Sequence, residues 1–259
     1  MECWARSLGG CVQKISREHL VTESFWAEEK INVVGFPWCK LEPKKVGPAA
    51  IVAKILCRTH NSNLSPVDDG GHAAFHALQE AEQLIERRRT RPAQEWMRVC
   101  FSVNGPLLER WFIKTTINLL SVSGNEVRWA LADGGTEVPE RLVRIAFGHE
   151  VPAKPIGLYL VADVGNQIEA IDGLVFMPIF DFRDYLAAAL FDFRGYRFML
   201  NLIESPLPPK LPEVPGAAAP WGLATPFYHL NRINGDVNGY RSHFVDFVWP
   251  DSTFDHFAA

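Results

Sequence analysis

Cys3, Cys11, Cys57 and His60 are the side chains of this sequence best suited to chemistry as a group. Thiolate sulfur and imidazole nitrogen are the ligands that close a tetrahedron around zinc. Cys57 and His60 are three apart, a spacing at which two side chains at a helix start converge on one ion. Cys3 and Cys11 supply the other pair, with Cys39 an alternative to either. The competing reading is a set of small buried thiols around a core histidine. Between the two pairs lies Ser16-Arg17-Glu18-His19. A neutral imidazole can take a proton from water, and a carboxylate can bind a hard divalent ion such as Mg²⁺. If this segment is a strand, Glu18 and His19 face opposite sides; at a hairpin end both can still reach one locus.

These residues need elements to position them. Residues 12–22 read as a short strand or hairpin ending near His19, and residues 31–36 as a second strand. Gly47-Pro48 is expected to open a helix over Ala49–Leu56, since Pro suits a first helical turn. A longer helix is expected from Pro66 to Arg89. Ser65 caps it, and Ala74, Phe75, Leu78, Ala81, Leu84 and Ile85 fall at helical spacing. On that helix His72 and His76 are four apart, and they read as exposed residues sooner than ligands.

Thr90-Arg91-Pro92-Ala93 breaks the pattern, which gives expected domains of 1–91 and 92–259. Beyond the break the period changes to two. Strands are expected at 96–103, 141–147, 156–164, 168–179, 196–203 and 242–249, with a helix at 107–120. Cys100 is read as core. Residues 109–114 mix charges with aromatics and read as amphipathic packing on a sheet. Residues 206–220, rich in Pro and Ala, read as an exposed loop. The fold class expected is α+β: a small zinc-supported ββα unit, then an antiparallel β-rich domain with a few helices.

Residues 3–69 resemble the HNH, or treble-clef, endonucleases with a zinc-supported ββα-metal core. The likeness rests on Cys3 and Cys11, on Ser-Arg-Glu-His at 16–19, and on Leu-Cys-Arg-Thr-His-Asn-Ser-Asn-Leu-Ser-Pro-Val-Asp at 56–68. It covers about a quarter of the chain. The resemblance implies that His19 is a general base activating water, and that Glu18 and Asn61 hold a catalytic Mg²⁺ or Mn²⁺. It also implies that Cys57 and His60 stand for the family's second Cys-x-x-Cys. The chain departs from the pattern in its widely spaced first thiols, in Asn61 at the final signature position, and in having no Asn among residues 49–54. Asp68 or Asp69 is a further carboxylate in reach of such a site.

The whole chain sets outer bounds. At 259 residues and 47% hydrophobic, it can bury a sizeable core. Residues 1–91 hold 13 basic and 11 acidic side chains, a net +2; the rest hold 13 and 19, a net −6. The resemblance implies a nucleic-acid partner, DNA ahead of RNA, and the mildly basic first part is where it is expected to bind. The second part is expected to recognise a substrate, a protein partner or another copy. No segment approaches the ~20 apolar residues of a membrane span. Five cysteines without a secretory leader suggest a reducing, cytoplasmic setting. No Gly-rich phosphate loop with Lys-Ser/Thr and no Gly-x-Ser-x-Gly elbow is present. The expectation is a metal-dependent nuclease, of a kind that suits a defence effector. The rivals are an inactive zinc-stabilised module binding nucleic acid or protein, and a scaffold protein with core cysteines.

Overall fold

The computed structural model describes residues 2–26, 30–90, 99–132, 134–153, 155–160, 173–193, 196–204, 225–226, 232–237 and 240–249. In chain order the elements begin β1 (Ile15–His19), β2 (Ile31–Val33), β3 (Lys44–Val46), β4 (Val52–Cys57), α1 (Arg58–Asn63) and α2 (Ser65–Thr90). Then follow β5 (Cys100–Asn104), α3 (Gly105–Ser121), β6 (Arg128–Trp129), α4 (Glu140–Ala146), β7 (Gly157–Leu160) and β8 (Leu174–Phe180). The last are β9 (Tyr185–Phe193), β10 (Tyr196–Asn201), β11 (Thr225–Pro226), β12 (Arg232–Val237) and β13 (Tyr240–Val248). This is an α+β chain with mostly antiparallel pairing. The expected strands at 96–98, 161–164 and 168–172, and the Pro-rich 206–220 segment, lie outside the described residues.

Contacts divide the chain into two units, each assembled from separated segments. The first is Met1–His72, Arg110–Pro152 and Phe180–Ala187; the second is Ala73–Glu109, Ala153–Ile179 and Ala188–Ala259. The sequence-based boundary at 91/92 marks a change of pattern, not the edge of either unit.

In the first unit, β1 and β4 pair antiparallel with Ile15 opposite Cys57 and His19 opposite Val52. A bulge falls between Ser16 and Glu18. The helix expected over Ala49–Leu56 is a strand instead. Pro48 opens only a 3₁₀ turn, Pro48–Ala50. Val52 and Ile55 are β-branched, and the β1 backbone satisfies this segment's hydrogen bonds, which outweighs the weak propensity signal. The strand expected at 141–147 is helix α4. Leu142, Ile145 and Ala146 recur at three and four residues, and all are buried with Val143. In this unit the first residues of β9 pair parallel with β6, and β2 pairs with β3.

In the second unit β9 from Ala188 onward pairs with β10, β10 with β7, and β7 with β11, all antiparallel. Tyr159, Ala188, Leu190 and Met199 form a core against which Met177 and Ile179 pack. Asp192 and Arg197, opposite each other on β9 and β10, make a buried two-bond ion pair at 2.5 Å. A further sheet runs β12–β13–β5, with β13 and β5 parallel. Cys100 is not core: it is exposed, because Phe101 and Val103 take the inward positions of β5. Its thiol meets the Asp246 carboxylate at 3.3 Å. Among the described residues no helix is long and apolar enough to cross a membrane.

Residues 109–114 also depart from expectation, because Glu109 and Lys114 are both buried. In the second unit Glu109 accepts a hydrogen bond from the Leu158 N–H at 2.9 Å. Burial pushes its carboxyl up to about 7, against an ordinary 4.5, with the Leu158 bond opposing. The folded chain thus holds a proton that the unfolded chain releases between these values. Stability is full below pH 4.5 and falls as pH rises through 7. At about 1.4 kcal/mol per pH unit, the loss above pH 7 is about 3 kcal/mol. Glu109→Gln is therefore expected to match the wild type at pH 4.5 and to exceed it by about 3 kcal/mol at pH 8. Urea unfolding at the two pH values measures this, and parallel pH dependences would refute it.

Candidate metal centre and adjoining cleft

Four side chains of the first unit converge on one point. The ligand atoms of Cys3, Cys11, Cys57 and His60 all lie within 4.8 Å of one another, a group able to hold a metal ion. The sulfurs of Cys3 and Cys57 are each 3.3 Å from His60 Nδ1, and that of Cys11 is 3.5 Å away. The local sequence explains the convergence. Cys57 ends β4 and His60 sits in the short helix α1 that follows immediately. The Trp4 N–H bonds the Ile55 carbonyl, which lays Cys3 beside that junction. Gly9 and Gly10, at φ 75° and 70°, turn the chain back and return Cys11 to the cluster.

The surroundings are apolar on one side. Phe147 packs edge-on against His60, at 5.4 Å between ring centres, and against Trp4 at 5.8 Å. Burial lowers the His60 imidazole, which favours its neutral, ligating form. The Cys3 thiol is raised above its ordinary value, chiefly by burial. The Cys11 thiol is pushed up to about 12, first by desolvation and then by the Cys3 and Cys57 sulfurs. With the Cys3 and Cys11 thiols raised in this way, a cation among the sulfurs would favour their ionised form. Cys39, the alternative ligand, is outside the group. Its backbone bridges to Phe36 in a separate turn.

Beside this cluster an open cleft of ≈ 500 Å³ is lined by Arg17, Glu18, His19, Thr22, Glu23, Asn61 and Asp68. All three residues that the sequence suggested for chemistry therefore line one cleft, each differently engaged. The Asn61 amide donates to Ser16 Oγ at 3.1 Å and to the Arg17 carbonyl at 2.9 Å, tying α1 to β1. His19 Nε2 lies 3.3 Å from Glu23 Oε2. Its Nδ1 is buried with no hydrogen-bond partner among the described residues. Glu18 turns inward and is 3% exposed. Burial raises its carboxyl despite an adjacent lysine.

That lysine is Lys114. Its ammonium lies 2.5 Å from Glu18 Oε1 and 2.6 Å from both Asp68 oxygens. Thr22 donates to Asp68 Oδ1 at 2.7 Å, and the Trp111 indole N–H donates to Thr22 at 2.8 Å. Asn118, fully buried, donates to the His19 carbonyl at 3.2 Å and to Glu18 at 3.4 Å, and accepts from the Trp4 indole. Trp111 comes this close to α2 because residue 71 is glycine. A Cβ there would stand 2.3 Å from the indole ring. Lys114, Asn118 and Trp111 come from α3, some hundred residues after Glu18, and sequence reasoning missed their part in the cleft. The one available signal was a lysine set between Ile113 and Thr115 on a helix otherwise rich in large apolar residues. His72 and His76 are exposed, His76 Nδ1 lies 3.8 Å from Glu80, and neither belongs to the metal group.

No protein-family model, curated protein or solved structure matches this chain.

Proposed function

We propose that the first unit is a zinc-braced hydrolytic module acting on the phosphodiester bonds of nucleic acid, with His19 as general base. The observation that carries this reading is His19, which lines a polar cleft next to a Cys₃His cluster and whose buried Nδ1 has no hydrogen-bond partner among the described residues. An uncommitted imidazole nitrogen costs stability, and such costs concentrate where a function uses the group. The donor set fits zinc. Zn–S of ~2.3 Å and Zn–N of ~2.05 Å at tetrahedral angles put sulfur and nitrogen about 3.6 Å apart, close to the 3.3–3.5 Å found. Cys3, Cys11, Cys57 and His60 would hold the ion. Its chemistry there is to clamp the N-terminal segment, β4 and α1 into one frame. The donors fit a hard divalent ion on Glu18 poorly, since Lys114 already engages that carboxylate.

The chain's own residues then divide the work. Glu23 accepts from His19 Nε2–H, fixing the tautomer that leaves the lone pair on Nδ1, and it balances the imidazolium that proton uptake creates. The test is cleavage of single- and double-stranded substrates by the full chain, wild type against His19→Ala. Cleavage by both proteins at one rate removes the role given to His19.

A nucleic-acid partner has support of its own in the β2–β3 ribbon. Residues 30–46 carry four lysines and one glutamate, all exposed. Trp38, 45% exposed, stacks on Phe36 with ring centres 5.6 Å apart, and Lys44 Nζ lies 5.8 Å from the indole. Exposed aromatics beside lysines suit stacked bases and phosphates. Trp38→Ala is expected to weaken single-strand binding roughly tenfold, consistent with ~1–3 kcal/mol per stacked base. Lys44→Gln should flatten the salt dependence. Fluorescence anisotropy at two salt concentrations reads both, and unchanged binding in the two variants rules the ribbon out.

A second reading, binding without turnover, draws on the same Glu18–Lys114 pair, which withdraws a carboxylate from the cleft. It predicts bound zinc, bound nucleic acid and no cleavage.

A further inference from the structure

We infer that the Lys114 ammonium is the resident cation of this cleft, filling the place between Glu18 and Asp68 that a divalent metal ion would otherwise take. Its contacts are those of a bound cation: one oxygen of Glu18 and both of Asp68, at 2.5–2.6 Å. Three oxygens match the three N–H donors of an ammonium. The side chains of Lys114 and Glu18 are 2% and 4% exposed, so neither charge is shared with solvent. A buried ammonium stays charged only when paired this closely.

The neighbouring groups reinforce the pairing. Asp68 Oδ1 also accepts from Thr22, and Glu18 Oε1 from Asn118. Lys114 is delivered from α3 among Trp111, Phe112, Ile113 and Ile117, each at most 1% exposed. It does not swing aside at small cost. A hard divalent ion asks for about six oxygen ligands, whereas these oxygens are already accepting. It would also sit against a fixed positive charge in a poorly screened site. Lys114 is therefore a positioning residue: it holds Glu18 inward on β1, next to His19, without touching substrate.

The consequence, which rests on the hydrolytic reading, is that cleavage needs no Mg²⁺ or Mn²⁺ on Glu18. The inference itself is tested by binding, so loss of the hydrolytic reading leaves it standing. The experiment is Mn²⁺ titration of the purified full chain, followed by electron paramagnetic resonance. Glu18→Gln is expected to leave Mn²⁺ affinity within twofold of wild type, or neither protein binds the ion. Lys114→Met uncovers two carboxylates and is expected to gain a Mn²⁺ site at least tenfold tighter than any in wild type. Adding Asp68→Asn to Lys114→Met should abolish that site. A tenfold or greater loss of Mn²⁺ affinity in Glu18→Gln overturns the inference, as does a folded Lys114→Met that gains no site. If Lys114→Met does not fold, the Glu18→Gln comparison decides alone. Should Glu18→Gln not fold either, Asp68→Asn in the wild-type background, with the same twofold and tenfold limits, replaces it.

Discussion

Cys57→Ser is expected to lose the bound metal and unfold the first unit. The thiol is fully buried, 3.3 Å from His60 Nδ1, at the residue where β4 becomes α1. Serine keeps the volume but is not a thiolate at neutral pH, so the tetrahedron loses one corner. Structural zinc supplies about 10–16 kcal/mol in small zinc-dependent folds, against a total domain stability of about 5–15 kcal/mol. Losing even a third of it leaves little to hold the N-terminal segment on β4. The expected readings are one zinc per chain in wild type, less than a tenth of that in Cys57→Ser, and loss of the cooperative melting transition of this unit. A strong chelator should reproduce the effect on wild type. Cys39→Ser is the control: Cys39 is also buried but lies outside the cluster, so the variant should keep its zinc. A wild type that purifies without metal and melts identically with and without chelator would return the cysteines to the role of ordinary core residues.

The metal group was legible because its residue types are distinctive and one of its pairs is local, although Cys3 and Cys11 reach His60 across 57 and 49 residues. Cys57 and His60 sit three apart across a strand–helix junction, and two glycines bring Cys11 back toward Cys3. Helices α2 and α3 were legible from apolar spacing, since each is long enough for the 3.6-residue period to show. Short elements were not. Val52–Cys57 and Glu140–Ala146 are only six and seven residues long and mix apolar with charged side chains, too short for a helix period to be told from a strand period. Each resolved opposite to expectation once its partners were present. The cleft was half legible. His19, Glu18 and Asn61, singled out from their motif, all line it. Lys114 and Asn118 reach it from α3, through contacts spanning about a hundred residues. No local pattern encodes such a contact. Its trace was a lysine and an asparagine at positions where an amphipathic helix should bury apolar side chains.

The same cleft sets the largest expected effect on activity. His19→Ala should reduce cleavage roughly 10²–10⁴-fold, the range ascribed to a positioned general base. Stability gives the discriminating second reading. A histidine kept for structure loses hydrogen bonds and packing when truncated, and the fold weakens. His19 instead leaves Nδ1 buried without a partner among the described residues, and its side chain is 35% exposed. Removing it relieves an unsatisfied group at the cost of a partly solvated contact with Glu23, so the melting temperature should hold or rise. Activity falling while stability holds is the pattern of a site kept at the expense of the fold. Glu23→Gln should sit between the two. It leaves a hydrogen-bond acceptor for Nε2–H but removes the charge that balances an imidazolium, and a loss near tenfold is expected. If Glu23→Gln matches wild type while His19→Ala is inactive, the base works without that orienting carboxylate. If His19→Ala melts far below wild type, its loss of cleavage reports unfolding, and the assignment of His19 as base falls.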